Sequence, residues 1–167
     1  MRKHFMQRHN LSLAIDEEFL LLAIHSSLEE YKLAFLINKH LNLRFQRKKK
    51  DLDFFNKNGA ISYPIYEYFD STQDDAFFLL SNVCKTITEK TVSAGSLFDK
   101  EYEEKTHYLV NEFKQADFLI KILTEEPQLY EKAFLSKLSK IPGIITAYTI
   151  DQNKLKSKHN LNFDSCH

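Results

Sequence analysis

One segment of this chain occurs twice, 99 positions apart. Phe19-Leu20 followed by Tyr31, Ala34, Phe35 and Leu36 returns as Phe118-Leu119 followed by Tyr130, Ala133, Phe134 and Leu135. Each copy opens on an apolar run, Phe19 to Ile24 or Phe118 to Leu123, that is too short for a helix and fits a strand buried on both faces. Each then continues at helical spacing. Two strand-helix units within 167 residues predict one sheet with two covering helices, the repeated strands adjacent and central.

The local signals fill in this frame. Ser27 with Glu30 three residues later reads as a capping box, opening a helix that runs to about Leu41. Leu28, Tyr31, Ala34 and Phe35 form its expected inner stripe, widened by Leu33, Leu36 and Ile37. In the second unit Pro127 sits at the first turn of a helix facing inward through Tyr130, Ala133, Phe134, Leu138 and Ile141. Pro142-Gly143 ends it, and Ile144 to Ile150 returns as a strand. From Leu43 to Phe113 the period is two, with turns at Asn56 to Gly59 and Asp70 to Asp75 and a longer acidic loop from Ser93 to Glu104. Pro64 places its strand at an edge or a bulge. The expected class is α+β: a ferredoxin-like two-layer sandwich, a largely antiparallel sheet with two helices on one face and an inserted β-meander. Residues 1–167 read as a single domain with flexible ends at 1–15 and 152–167, the tail docking only through Leu155, Leu161 and Phe163.

Composition narrows the function classes. The chain has 23 basic and 23 acidic residues, but they are unevenly placed. Residues 1–58 hold 11 basic and 7 acidic, residues 59–131 hold 6 and 14, and residues 132–167 hold 6 and 2, a balance of +4, −8 and +4. A domain devoted to nucleic acid is usually basic overall, so the pattern favours steering of partners over wholesale phosphate binding. Cys84 and Cys166 make neither a disulfide framework nor a metal knuckle, and the polar start Met1 to Asn10 precedes no secretory apolar core. The expected setting is the cytoplasm, with no membrane contact.

The stretch from Ala23 to Lys39, together with Val110-Asn111-Glu112, three residues, and Ala116-Asp117-Phe118, resembles an uncharacterised bacterial family named for its motif IPExxxVDY. Glu112 and Asp117 match the motif, Val110, Ala116 and Phe118 are conservative changes, and Asn111 stands in place of proline. The resemblance spans Asp16 to Phe163 and implies kinship with a family that carries no established activity, substrate or cofactor. A weaker likeness, from Ala116 to Ile150, is to the effector-binding domains of leucine-responsive regulators.

Three groups of residues are candidates for chemistry. His25-Ser26-Ser27 lies where a strand meets a helix start, a place suited to an anion or, given a base, a nucleophile. Arg44, Arg47, Lys48, Lys49 and Lys50 form the one dense basic run. With Phe54, Phe55, Tyr63, Tyr66 and Tyr68 nearby it would suit single-stranded RNA, or else a solvated edge that resists strand pairing. Glu112 and Asp117 flank a strand break and read mainly as turn-capping acids. Without a nucleophile elbow, a His-rich metal motif or paired-cysteine spacing, no catalytic residue, metal or cofactor is assigned. The expected function is a non-catalytic protein-binding or self-associating module, acting through its sheet, the acidic 99–104 loop or the wide first helix. The alternative is an RNA- or ribosome-associated protein using Arg44 to Lys50.

Overall fold

The computed structural model describes residues 18–57, 59–90 and 101–163. In chain order the elements are β1 (Leu20–Ser26), α1 (Glu30–Leu41), β2 (Gln46–Arg47), β3 (Leu52–Asn56), β4 (Gly59–Tyr63), β5 (Ile65–Asp70), β6 (Asp75–Ser81), β7 (Val83–Lys90), β8 (Glu101–Tyr108), β9 (Phe118–Leu123), α2 (Pro127–Leu138) and β10 (Ile144–Ile150). Short 3-10 turns occupy Asn111–Phe113, Gln152–Lys154 and Lys158–Leu161. Six strands form the main sheet in the order β10-β1-β9-β6-β5-β2, every neighbouring pair antiparallel. The hairpins β3–β4 and β7–β8 stand outside it. The fold is therefore α+β on a mostly antiparallel sheet, with the two repeated strands paired at its centre.

Alternation along these strands sends side chains to two cores. Leu20, Leu22 and Ile24 of β1 join Phe118, Ile120 and Ile122 of β9 under the helices, with Leu33, Ala34, Ile37 and Leu41 from α1 and Phe134 and Leu138 from α2. Phe77 sits among them, its ring stacked on Phe134 at 5.9 Å and edge-on to Tyr130 at 5.3 Å. Such ring pairs add about 0.5–1.5 kcal/mol beyond the area they bury. The opposite face holds Leu21, Ala23 and Leu119, covered by Tyr63, Leu109, Val110, Leu155 and Leu161. The sheet is thus covered on both faces rather than on one. The segment 152–163, expected as part of a flexible end, is seated there with Leu155, Ser157 and Leu161 buried; residues 1–17 and 164–167 lie outside the described residues.

The repeat does not superpose on itself. Strand side chains alternate between faces, and the two copies are one residue out of phase: Leu20 points to the helices, whereas its counterpart Leu119 points to the other core. The packing equivalents are Leu20 with Phe118 and Ile24 with Ile122, both 98 apart, and then Ile37 with Phe134 and Leu41 with Leu138, both 97 apart. β1 is one residue longer than β9, which accounts for the last step between the two offsets. In consequence α1 is turned from its expected orientation: Tyr31 and Phe35 are 66% and 64% exposed, while Leu33, Ala34, Ile37 and Leu41 face inward. Ala133, expected inward on α2, is exposed as well.

Other boundaries move for local reasons. α1 begins at Glu30 with Glu29 as its N-cap residue, and no side chain caps it. Ser27 is exposed, and the serine that organises the turn is Ser26, whose Oγ accepts from the Leu28 amide at 3.2 Å and donates to the Gly143 carbonyl at 2.7 Å. Gly143 has φ +94, and an added Cβ would lie 2.8 Å from the Leu28 side chain, so this close crossing requires glycine. Pro64 marks the step from β4, in its own hairpin, to β5, in the main sheet. Residues 101–104 of the expected acidic loop belong to β8, while residues 91–100 lie outside the described residues.

Candidate functional site

At one end of the central strands the structure joins two groups that are 92 residues apart in sequence. His25, the sixth residue of β1, places Nδ1 2.5 Å from Asp117 Oδ2, and the same oxygen accepts from the Ser26 amide at 2.9 Å. The Asp117 amide in turn donates to the Ile24 carbonyl at 2.9 Å. Asp117 thus occupies, with the chain's own carboxylate, the position an anion would take beside His25-Ser26-Ser27. A carboxylate that orients an imidazole is one part of a proton-transfer device. The other part is a nucleophile: the Ser26 hydroxyl is bound to Gly143, and Ser27, the second candidate hydroxyl, is exposed. The bonds of the cluster join β1, β9 and the turn before β10.

Glu112, the other acid flanking the strand break, holds the tail. Its Oε1 accepts from the amides of Lys156 and, at 2.8 Å, Ser157, while Oε2 accepts from the Ser157 hydroxyl at 2.5 Å. Burial pushes this carboxyl up, but the Ser157 hydroxyl and amide and the Lys156 amide bind its ionised form and hold it below the usual carboxylate range. Both motif acids are backbone-binding groups, as expected of acids that flank a strand break.

Two residues that sequence reasoning passed over complete the junction. Asn82 is fully buried between β6 and β7; its Nδ2 donates to the Phe113 and Ala116 carbonyls at 3.0 and 2.8 Å, and its Oδ1 accepts from the Val110 amide at 2.8 Å. It organises the whole turn that carries Glu112. Lys121, in the middle of β9, is 1% exposed; its Nζ donates to the Leu161 carbonyl at 2.9 Å and lies 4.9 Å from the ring centroids of both Phe19 and Phe163. Burying an ammonium is costly unless donors are satisfied, and here the tail supplies both a carbonyl and a π face. A signal for each was present: a polar residue interrupting the apolar runs Leu79 to Val83 and Phe118 to Leu123.

The basic run lies at one edge of the main sheet. Arg47 pairs with Asp51 and lies 5.8 Å from the Tyr66 ring centroid, while Lys48 Nζ is 2.9 Å from Glu67 Oε2. Arg44, Lys49 and Lys50 are exposed. The aromatic residues do not assemble into a stacking platform beside them. Tyr63 and Tyr66 are buried, Tyr68 stacks on Phe77 at 5.6 Å, and Phe54 meets Tyr63 edge-on at 5.9 Å. Phe55 alone of the five is exposed. Tyr63 is deep enough that burial, with a lesser contribution from Cys84, pushes its phenol up to about 12.

The other edge of the sheet is β10, Ile-Ile-Thr-Ala-Tyr-Thr-Ile, seven residues without a charge. Among the described residues it pairs only with β1, on one side. Its register skips from Thr146 to Ile144 opposite His25 and Ser26, leaving Ile145 as a bulged residue that is 68% exposed. Where β10 ends, Thr149 and Ile150 share a groove of about 920 Å³ with Glu18–Leu21, the start of α2 and Asp151. Among the described residues no group of three or more His, Cys, Asp or Glu side chains is placed to hold a metal, and no helix is long and apolar enough to cross a membrane. Comparison with protein-family models, curated proteins and solved structures found no match.

Proposed function

We propose that this protein is a non-catalytic binding module that adds a strand, from another protein or from itself, to the open edge of its sheet at β10. The observation that carries this reading is the seven-residue uncharged edge. An unpaired edge presents a row of backbone donors and acceptors to any compatible strand, and natural sheets usually blunt such edges with charge, proline, brevity or a bulge, of which β10 carries only the bulge at Ile145. The His25–Asp117 couple supports it, because its side chains are engaged with each other in a latch rather than poised on a substrate. We place the fold in the ferredoxin-like class, with the antiparallel order β10-β1-β9-β6 as its four-stranded frame and β2–β5 and β7–β8 as insertions. Kinship with the IPExxxVDY family, resting on Ala23 to Lys39 and on Glu112 and Asp117, and a cytoplasmic setting belong to the same proposal. The RNA reading has less support, since Arg47 and Lys48 are paired within the chain.

Light scattering after size exclusion, combined with capture from the cell's own lysate, tests the reading by comparing the native chain with Thr146→Lys. The expected result is self-association or a retained partner that the charged edge abolishes. A strict monomer whose retained proteins are identical in both forms overturns it. Binding to a mixed RNA pool that is lost on reversal of Lys48, Lys49 and Lys50 would instead favour the basic edge.

A further inference from the structure

We infer that the partner at β10 is a second copy of this chain, joined edge to edge by an antiparallel two-fold pairing centred on Ala147. This rests on the strand-addition reading above and names its occupant.

Three observations converge on the second copy. The first is charge. Antiparallel self-pairing sets each residue of β10 opposite another residue of β10, and Ile144 to Ile150 contains no charged side chain, so no like charges meet. At the opposite edge such pairing would oppose basic residues to basic residues.

The second is the pattern of the strand itself. In a pairing centred on Ala147, Ile144 falls opposite Ile150, Ile145 opposite Thr149, and Thr146 opposite Tyr148. The smallest residue lies on the axis, where the two chains meet their own copies, and the outer positions pair β-branched with β-branched or aromatic residues. A two-fold interface must be self-complementary in this sense.

The third is the placement of two large exposed apolar side chains at opposite ends of the edge. Ile145 is 68% exposed at the start of β10. Leu129, in the first turn of α2, is 65% exposed and lines the groove that Thr149 and Ile150 also line, at the end of β10. The first turns of α2 are held over this end of the strand by the Thr149 hydroxyl, which donates to Glu131 Oε1 at 2.7 Å. An antiparallel copy brings its Ile145 opposite Thr149 and so toward Leu129, once on each side of the axis. An unrelated strand would satisfy the backbone of the edge, but only the copy supplies Ile145 to Leu129 twice.

Sedimentation over a range of protein concentrations and disulfide trapping together decide the matter. Ala147→Cys is expected to form a disulfide-linked dimer under mild oxidation, mapped by mass spectrometry to the two introduced thiols, because directly opposed residues have Cβ atoms about 4.5–5.5 Å apart. Mixing Ile145→Cys with Thr149→Cys is expected to trap the heterologous pair. Thr146→Lys and Leu129→Lys are each expected to weaken dimerisation at least about tenfold, because each sets a charge against an uncharged side chain of the copy, Tyr148 or Ile145, that would bury it. A dimer trapped through Phe35→Cys on the exposed face of α1, and not through Ala147→Cys, overturns the inference. So does a dimer indifferent to both lysine substitutions. A native chain that is monomeric but retains a partner lost in Thr146→Lys overturns the second copy while leaving strand addition intact; a monomer with no edge-dependent partner removes both.

Discussion

The main sheet ends in two contrasting edges. β2 is two residues long, followed at once by Lys48, Lys49 and Lys50, and its charges are tied down by Asp51 and Glu67. β10 is seven residues long, uncharged, bulged at Ile145 and unpaired on its outer side. Both edges belong to the same hydrogen-bonded ladder, so the backbone offers the same groups at each. The side chains decide which edge accepts another strand. Brevity and lysine make β2 a poor template, whereas β10 lacks both and has only the bulge at Ile145 to blunt it. The dense basic run, which the sequence reads either as an RNA arm or as a solvated edge that resists strand pairing, lies where the second reading requires it.

Removing the basic residues at the β2 edge should have the largest effect. Substituting Arg47→Thr, Lys48→Val, Lys49→Thr and Lys50→Val together opens a second edge, so that a closed pair can grow into an open chain of copies. The expected outcome in sedimentation velocity is a shift from one discrete species to a broad distribution of large ones. A distribution identical to that of the native chain would show that β2 needs no guarding.

A smaller effect is expected from loosening the open edge where it is anchored. Asp117→Ala leaves the Ser26 amide and the His25 imidazole without their partner, and an orphaned buried donor costs about 1–3 kcal/mol. Urea unfolding should register this loss, and hydrogen exchange should rise in β10 near Ile144 and not in β5. Asn82→Ala, which orphans the Val110 amide and the Ala116 carbonyl and leaves the Phe113 carbonyl with the Ala116 amide as its donor, should cost about as much while leaving exchange at β10 unchanged. Equal rises at both edges would mean that the latch does not belong to the β10 side.

The tail should respond to acid more gently. Glu112 is held below its usual range in the folded chain, so its contribution is complete above the unfolded carboxylate value of about 4.5 and is lost as pH falls through the lower folded value. Exchange across Leu155 to Leu161 is expected to rise in that acid window and to be already raised at neutral pH in Glu112→Gln. A tail that loosens at the same pH in both forms would assign the effect to other carboxylates. The least effect is expected from Asp51→Asn, which removes a partly exposed ion pair worth about 0–1 kcal/mol and should be matched in the native chain by raising the salt concentration.

Much of the fold was legible in the sequence because it depends on short-range pattern. The apolar runs Phe19 to Ile24 and Phe118 to Leu123 are strands at the centre of the sheet, Pro127 opens α2, and the chain turns at Asp70 to Asp75. The rotation of α1 was not legible. Tyr31 and Phe35 are as apolar as Leu33 and Ile37, so periodicity alone could not choose between two overlapping stripes. The site was legible in parts only. His25, Glu112 and Asp117 stood out singly, but the bond between His25 and Asp117 exists because β1 and β9 pair in one particular register. Asn82 and Lys121 were hidden because a single polar residue in an apolar run gives no hint of the carbonyls it will meet.

By itself, then, the sequence determined the two strand-helix units, the interior place of their apolar strands and a charge-free strand from Ile144 to Ile150, since these follow from local periodicity and side-chain chemistry. Tertiary structure decided which face each repeat presents, which acid meets which donor, and which strands lie at the edges. The repeat illustrates the division. Its residues recur at an interval of 99, but the strands pack with an equivalence of 98, and the extra residue of β1 makes it 97 in the helices. Edge position, likewise, is a property of the assembled sheet: nothing within Ile144 to Ile150 records that only one side of it will be paired.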